Sequence, residues 1–328
     1  MAANSFGNRF VIHSFGESHG LGLGVVIDGC PAGIEFDLDF LRSELVRRRP
    51  GVWAQDVDVA VSQRQESDSP EVISGVYGGK TLGTPICILV RNLDQRSGDY
   101  DAIEKQARAG HADDMWKEKF KHVDHRGGGR SSGRETVARV MAGAVAKMLL
   151  KEVNPKIEIS GLLSSVGPLQ ESQFTKYEEF QVAYRNLLKQ AQAQGESHGG
   201  IVTICLRNLP IGLGQPVFHK LKSDLAGAML SVGATIGFEF GDGFAAAKKP
   251  GTEFHRATNS VYGGIRGGIS TGEEITMNIA FKPTSSILNI AKMGRHDPCV
   301  AIRAIPVLES MAALVIADHW LWSKTDLL

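Results

Sequence analysis

Apolar residues at Val137, Val140, Met141, Ala144, Val145, Met148 and Leu149 recur at steps of three and four. That period places them on one face of an α-helix. Ser132 and Glu135 stand just before the stripe in S-x-x-E spacing, the pattern of a capping box, which predicts a helix start there. A second long apolar helix is predicted over 301–322, with Pro306 in its first turns. Shorter helices are predicted over 37–48, 101–109 and 217–230, and around Phe180, Ala183, Tyr184 and Leu187. Alternating or continuous apolar runs predict strands over 9–13, 22–28, 57–61, 71–77, 85–91, 156–166, 201–206, 236–240, 267–270 and 274–281. Strands in hairpin-like groups, interrupted by long helices, predict an α+β fold rather than a regular βαβ alternation.

The chain has 328 residues, enough for one large domain or two of ordinary size. Lys plus Arg and Asp plus Glu both number 36, so no basic excess points to nucleic acid or a membrane surface. Cys30, Cys87, Cys205 and Cys299 are widely spaced and form no C-x-x-C pair, which reads as apolar thiols rather than a disulfide framework or a zinc site. The N-terminus shows no charged segment followed by an apolar one. No apolar run approaches the roughly 18 to 20 residues that span a bilayer. The expected address is the cytoplasm.

Local charge is another matter. Gly127, Gly128 and Gly129 lie between Arg126 and Arg130, with Ser131, Ser132 and Arg134 following. Glycines let backbone approach a ligand closely, and a helix start offers amide N–H groups to an anion. The expectation is a phosphate site; the plainer alternative is a glycine turn before a core helix, with solvated arginines. The spacing is not that of a Walker A loop. Arg47, Arg48 and Arg49 form a second basic group. His19 lies in the loop Gly16-Glu17-Ser18-His19-Gly20, and His111 follows Gly110, so each could act as an acid or as a cation near phosphate. His122 and His125 beside aspartates raise a metal alternative, but without zinc spacing. Lys282, Pro283, Thr284, Ser285 and Ser286 close a predicted strand and suit a second phosphate or a capped turn. Arg295, His296 and Asp297 crowd three ionisable groups ahead of the last helix, either as a site or as a surface salt-bridge patch. A second glycine loop spans 263–268, and Gly-Glu-Ser-His-Gly recurs at 195–199.

Taken together and in order, these motifs resemble one family, the chorismate synthases. Gly16-Glu17-Ser18-His19-Gly20 with Asp28-Gly29-Cys30-Pro31 resembles its first signature. Gly129-Arg130-Ser131-Ser132-Gly133-Arg134-Glu135-Thr136 resembles its second, and Gly294-Arg295-His296-Asp297-Pro298-Cys299 its third. Between them Arg47-Arg48-Arg49-Pro50-Gly51, Ser74-Gly75-Val76, Gly110-His111-Ala112-Asp113, Gly241-Asp242-Gly243-Phe244 and Lys282-Pro283-Thr284-Ser285-Ser286 match collinearly.

The resemblance implies a single chorismate synthase-like domain over 1–328, a β-α-β sandwich of two antiparallel sheets enclosing long helices, assembled as a homotetramer. It implies 1,4-anti elimination of phosphate from 5-enolpyruvylshikimate 3-phosphate to chorismate, dependent on reduced FMN without net redox change. The flavin would be reduced with NADPH or by an external flavin reductase. By similarity, Ser18, His19, Arg48 and Arg134 bind substrate, and His19, His111, Asp297, Ser18 and Ser132 are catalytic. FMN would be held by Arg130, Ser131, Ser132, Gly233, Ala234, Gly267, Lys282, Pro283, Thr284, Ser285, Ser286 and Arg295, with no metal. The chain departs from the family at Ala54, where an arginine is common nearby, at Ala109 in place of proline, and at His125. It also has Glu196-Ser197-His198 for an Asp-Ser pair and a short 287–293 segment. The rival functions are a non-catalytic phosphate or flavin-nucleotide regulator and a metal-dependent phosphatase built on His111, Asp113 and His122.

Overall fold

A computed structural model describes residues 3–49, 68–92, 110–124, 126–256, 261–285, 287–288 and 297–327. Its frame is two five-stranded antiparallel sheets. The first contains β1 (Ser5–Phe6), β2 (Val11–Phe15), β3 (Gly22–Asp28), β5 (Pro70–Ser74) and β8 (Ile86–Arg91), in the order β1-β2-β3-β8-β5. A small sheet from β4 (Ala32–Glu35), β6 (Val76–Tyr77) and β7 (Lys80–Leu82) flanks it. The second sheet contains β9 (Glu158–Val166), β10 (Leu169–Gln170), β11 (Gly200–Arg207), β12 (Thr235–Phe240) and β15 (Ile275–Phe281), in the order β10-β9-β11-β15-β12. Strict alternation in β15 turns Ile275, Met277, Ile279 and Phe281 inward, as a sheet with one covered face requires.

Two long helices fill the space between the sheets. The helix α3 (Thr136–Val153) packs on β2 and β3, while α6 (Ala301–Ser323) packs on β9 and β11, and the two helices pack on each other. Around them lie α1 (Leu38–Arg48), α2 (Asp113–Phe120), α4 (Tyr177–Gln194) and α5 (Leu221–Leu230). The helix α1 touches both α3 and α6, and α5 packs on α6. Where α3 crosses α6, a Cβ on Gly143 would stand 2.3 Å from the Ser310 Cβ, so only glycine allows that approach. The apolar core is continuous from Phe10 and Leu23 through both helices to Ile204 and Met277.

Charge also enters this interior. Arg47 on α1 makes a two-pronged bond to Glu309 on α6 at 2.6 and 2.9 Å. Lys147 on α3 reaches Glu44 at 2.6 Å and Glu309 at 3.2 Å, and the Gly161 N–H donates to Glu309 at 3.0 Å. Asp318 accepts backbone N–H bonds from Asn8, Arg9 and Phe10 at 2.8, 2.5 and 2.8 Å, fastening the start of the first sheet to α6.

The α+β sandwich agrees with the expectation, but several local readings do not. The α3 helix is buried well beyond the predicted stripe, Ala138, Ala142 and Ala146 included, because it is sandwiched rather than laid on a surface. The anticipated helix over 217–230 begins only at Leu221. Gly267 and Gly268 form the turn between β13 (Ile265–Arg266) and β14 (Ile269–Ser270) instead of opening a strand. The run 71–77 breaks at Gly75, whose φ of 83° separates β5 from β6. The expected strand over 57–61 and helix over 101–109 lie outside the described residues, as do Ala54, Ala109, His125, Ser286, Arg295 and His296.

Candidate active site

The three glycines adopt left-handed φ values of 60°, 79° and 51°, a conformation that costs other residues about 1–2 kcal/mol each. Their turn lays backbone directly on the loop after β2. A Cβ at Gly127 would stand 1.9 Å from His19 Nδ1 and 2.8 Å from Ser18 Oγ. The Ser18 N–H donates to the Gly129 carbonyl at 3.4 Å. Arg130 donates to the Gly16 carbonyl at 3.1 Å and to Ser14 Oγ at 2.7 Å. Ser18 and His19 are both buried, and Ser18 Oγ has no hydrogen-bond partner among the described residues. A buried hydroxyl left so is costly unless a ligand or water completes it.

The helix start differs from the capping-box expectation. A 3₁₀ turn over Gly133–Glu135 precedes α3. Ser132 Oγ accepts from the Arg134 N–H at 3.3 Å, and the Glu135 side chain turns forward to Arg139 at 3.0 Å. Several first-turn N–H groups are thereby already bonded, so positive charge at this point comes mainly from side chains. Arg126 is not one of them: it pairs with Asp124 at 2.8 Å and is half-exposed.

Arg134 and Arg48 are buried together, each with its side chain 3% exposed. The residue between them is Asp68, which the sequence reading passed over. One Asp68 oxygen accepts from Arg48 Nη2 at 2.7 Å and the other from Arg134 Nη1. Burial pushes the Asp68 carboxyl up, but Arg48 and Arg134 outweigh it and hold it below its ordinary value. Burial pushes the Arg48 pKa down, Asp68 opposes that, and Arg134 and Arg303 push it further down. Arg134 also donates to Asn92 Oδ1 at 3.3 and 3.2 Å, and the Asn92 amide donates to the Glu17 and Gly20 carbonyls at 3.1 and 2.9 Å. The His19 loop and the arginine pair are thus one hydrogen-bonded unit.

A second group gathers at the end of β15. Lys282 Nζ donates to the Gly110 carbonyl at 2.8 Å, and the Lys282 N–H to the Ala234 carbonyl at 3.0 Å. Gly110 faces Ser285 Oγ, so His111 sits beside the Lys282, Pro283, Thr284 and Ser285 segment. Thr284 Oγ1 donates to the Asp297 carbonyl at 3.0 Å, and the Asp297 carboxylate pairs with Arg303 at 2.5 Å. Arg303 stands near enough to Arg48 to push its pKa down, which sets this group beside the first. Arg139 reaches Ser231 at 2.6 Å, placing the segment that carries Gly233 and Ala234 near the start of α3. Ser131 closes its own turn by donating to the Gly128 carbonyl at 2.7 Å. Gly267, at the β13–β14 turn, belongs to a hairpin packed on the 212–221 segment, Gly268 lying against Lys220. The second Gly-Glu-Ser-His-Gly copy serves as scaffold: Ser197 Oγ donates to the Thr284 carbonyl at 2.9 Å and the His198 N–H to the Pro298 carbonyl at 2.8 Å.

Sequence reasoning missed Asp68, Asn92 and Arg303. Only Arg303 carried a signal, as one of three charges, with Glu309 and Asp318, in a mostly apolar helix. Among the described residues no three His, Cys, Asp or Glu are grouped to hold a metal ion. None of the helices searched there is long and apolar enough to cross a membrane.

The family model for chorismate synthase matches residues 10–321. The chain belongs to the chorismate synthase family. The chorismate synthase of Bdellovibrio bacteriovorus is 59% identical over 99% of both chains. That of Saccharolobus solfataricus is 43% identical over 97% of this chain and 90% of its own. A crystal structure of chorismate synthase superposes with a TM-score of 0.78 at 27% identity, covering 97% of this chain and 94% of that one. The activity is therefore that of a carbon–oxygen lyase, which eliminates phosphate from 5-enolpyruvylshikimate 3-phosphate to give chorismate for aromatic amino acid biosynthesis.

Proposed function

We propose that the joined groups around His19 and His111 form one pocket that holds reduced FMN against the phosphorylated ring of the substrate. The observation that carries this reading is the continuity from Gly127 and His19 through Asn92, Arg134 and Asp68 to Arg48, with the Arg303–Asp297 pair beside it. Support for the flavin comes from the chemistry of the donors. Arg130 and Lys282 are cations, and Ser131, Ser132, Thr284 and Ser285 are hydroxyls. A Cβ at Gly133, Gly233 or Gly267 would meet no heavy atom within 4 Å. Cations, hydroxyls and bare backbone fit a phosphorylated planar cofactor.

When bound, reduced FMN supplies electron density that loosens the C–O bond, with no net redox change. Arg48 and Arg134 anchor the substrate's anionic groups through their forked N–H donors. His19, with Ser18 beside it, gives a proton or a positive charge to the departing phosphate. The His111 imidazole would hold a proton for donation toward a bound reduced flavin. Asp297, aided by the Ser132 hydroxyl, would assist removal of the substrate's ring proton, with the flavin supplying the acceptor when bound. Burial of His19, Arg48 and Arg134 strengthens each interaction by excluding water. Ser286 and Arg295, outside the described residues, are assigned to the flavin by the family resemblance alone. The reading includes a single folding unit, a homotetramer in the cytoplasm, and reduction of the flavin with NADPH or by an external reductase.

An anaerobic assay with dithionite-reduced FMN tests it: chorismate should form with dithionite, and adding NADPH in its place reveals whether the chain reduces its own flavin. A folded protein that binds FMN yet yields no chorismate would leave the regulator instead.

A further inference from the structure

We propose that Asp68 is a positioning residue: its carboxylate clamps Arg48 and Arg134 at a fixed separation and thereby sets the guanidinium geometry offered to the substrate. The inference rests on the reading of those two arginines as substrate-binding groups. Each Asp68 oxygen serves one arginine, and Arg134 also donates through Nε and Nη2 to Asn92. Arg48 Nε and Arg303 Nε are buried and have no hydrogen-bond partner among the described residues, as is true of Ser18 Oγ. Unspent buried donors around a satisfied carboxylate point to a further acceptor, the anionic substrate.

Two buried guanidiniums without a counter-ion would repel and rotate apart. With one, they keep direction but lose part of their pull on any passing anion. Three guanidiniums, Arg48, Arg134 and Arg303, face two carboxylates, Asp68 and Asp297. Such a site selects by geometry more than by charge. The backbone at Asp68 has φ of 41°, a region that Asp, Asn and Gly tolerate better than other residues. Asp68→Asn thus removes the charge at nearly constant shape, and Asp68→Gly removes the side chain without backbone strain, leaving a hole large enough to admit formate.

The experiment measures chorismate formation with reduced FMN, and inhibition by inorganic phosphate, for the native enzyme, Asp68→Asn, Asp68→Gly and Arg134→Ala. Loss of the clamp misplaces the arginines, so kcat in Asp68→Asn should fall about 10²-fold, with a much smaller change in KM. Inorganic phosphate should inhibit that variant at about threefold lower concentration or less, because one repelling charge is gone. Sodium formate, but not sodium chloride of equal ionic strength, should restore kcat of Asp68→Gly by about tenfold, one of the roughly two decades lost with the clamp. A native kcat in Asp68→Asn overturns the proposal. So does a loss in Asp68→Gly that formate leaves untouched, whether through poor folding or poor turnover, since the carboxylate then serves stability alone. Native substrate affinity in Arg134→Ala defeats the parent reading instead, and is seen independently of the Asp68 variants.

Discussion

Gly127→Ala separates the cost of a strained backbone from the displacement of a functional side chain. At φ 60° an alanine loses about 1–2 kcal/mol of stability through the backbone alone. Its Cβ would also stand 1.9 Å from His19 Nδ1 and 2.0 Å from Cε1. The buried imidazole must then retreat by about 1.5 Å to restore ordinary contact. A misplacement of that size costs about 10²-fold in turnover, or about 2.7 kcal/mol of barrier. Gly78 supplies the control: its φ is 58°, and an added Cβ there meets nothing within 4 Å. Gly78→Ala should lower the melting temperature by a few degrees and leave turnover alone. Gly127→Ala should melt at least as early and lose about 10²-fold in kcat as well. Both variants are read by anaerobic chorismate formation and by thermal melts followed by circular dichroism. Native turnover in Gly127→Ala, or equal losses in the two variants, refutes the placement of His19 at the reacting centre.

His19→Ala and His111→Ala should each lower turnover by about 10- to 10⁴-fold, measured with reduced FMN, and a near-native rate in either removes its assigned role. Glu309→Ala removes one of the two carboxylates that Lys147 and Arg47 share, leaving Glu44, and strips the Gly161 N–H of its acceptor, so it should destabilise the fold by about 1–3 kcal/mol in urea melts; an unchanged melt would mean the network contributes nothing. Glu44 and Asp68 have carboxyls held below their ordinary values by Lys147 and Arg47 and by Arg48 and Arg134, against the opposing push of burial. Their stabilisation is complete above the ordinary carboxylate values and is lost as pH falls through the depressed ones, so stability should decline below about pH 4.5, and less steeply in Asp68→Asn. Burial pushes the Cys30 and Cys299 thiols up to about 11, so iodoacetamide at pH 8 should label half-buried Cys87 first in the native protein; early labelling of Cys299 would contradict its burial.

The hydrophobic pattern by itself determined the long helices and most of the strands, because the period of burial is written locally. The Gly127–Gly129 turn was equally legible, since consecutive glycines invite left-handed backbone whatever surrounds them. The same pattern understated α3, because a stripe describes one covered face while α1 and α6 cover the others. Which charges meet was decided only by the tertiary structure. Arg126 and Arg134 look alike in sequence, yet one ends on exposed Asp124 and the other on buried Asp68. Asp68 lies 66 residues from Arg134 and 20 from Arg48, distances across which no local rule operates. Its importance arises from closure of the first sheet against the helices, which removes water from all three groups and makes each depend on the others.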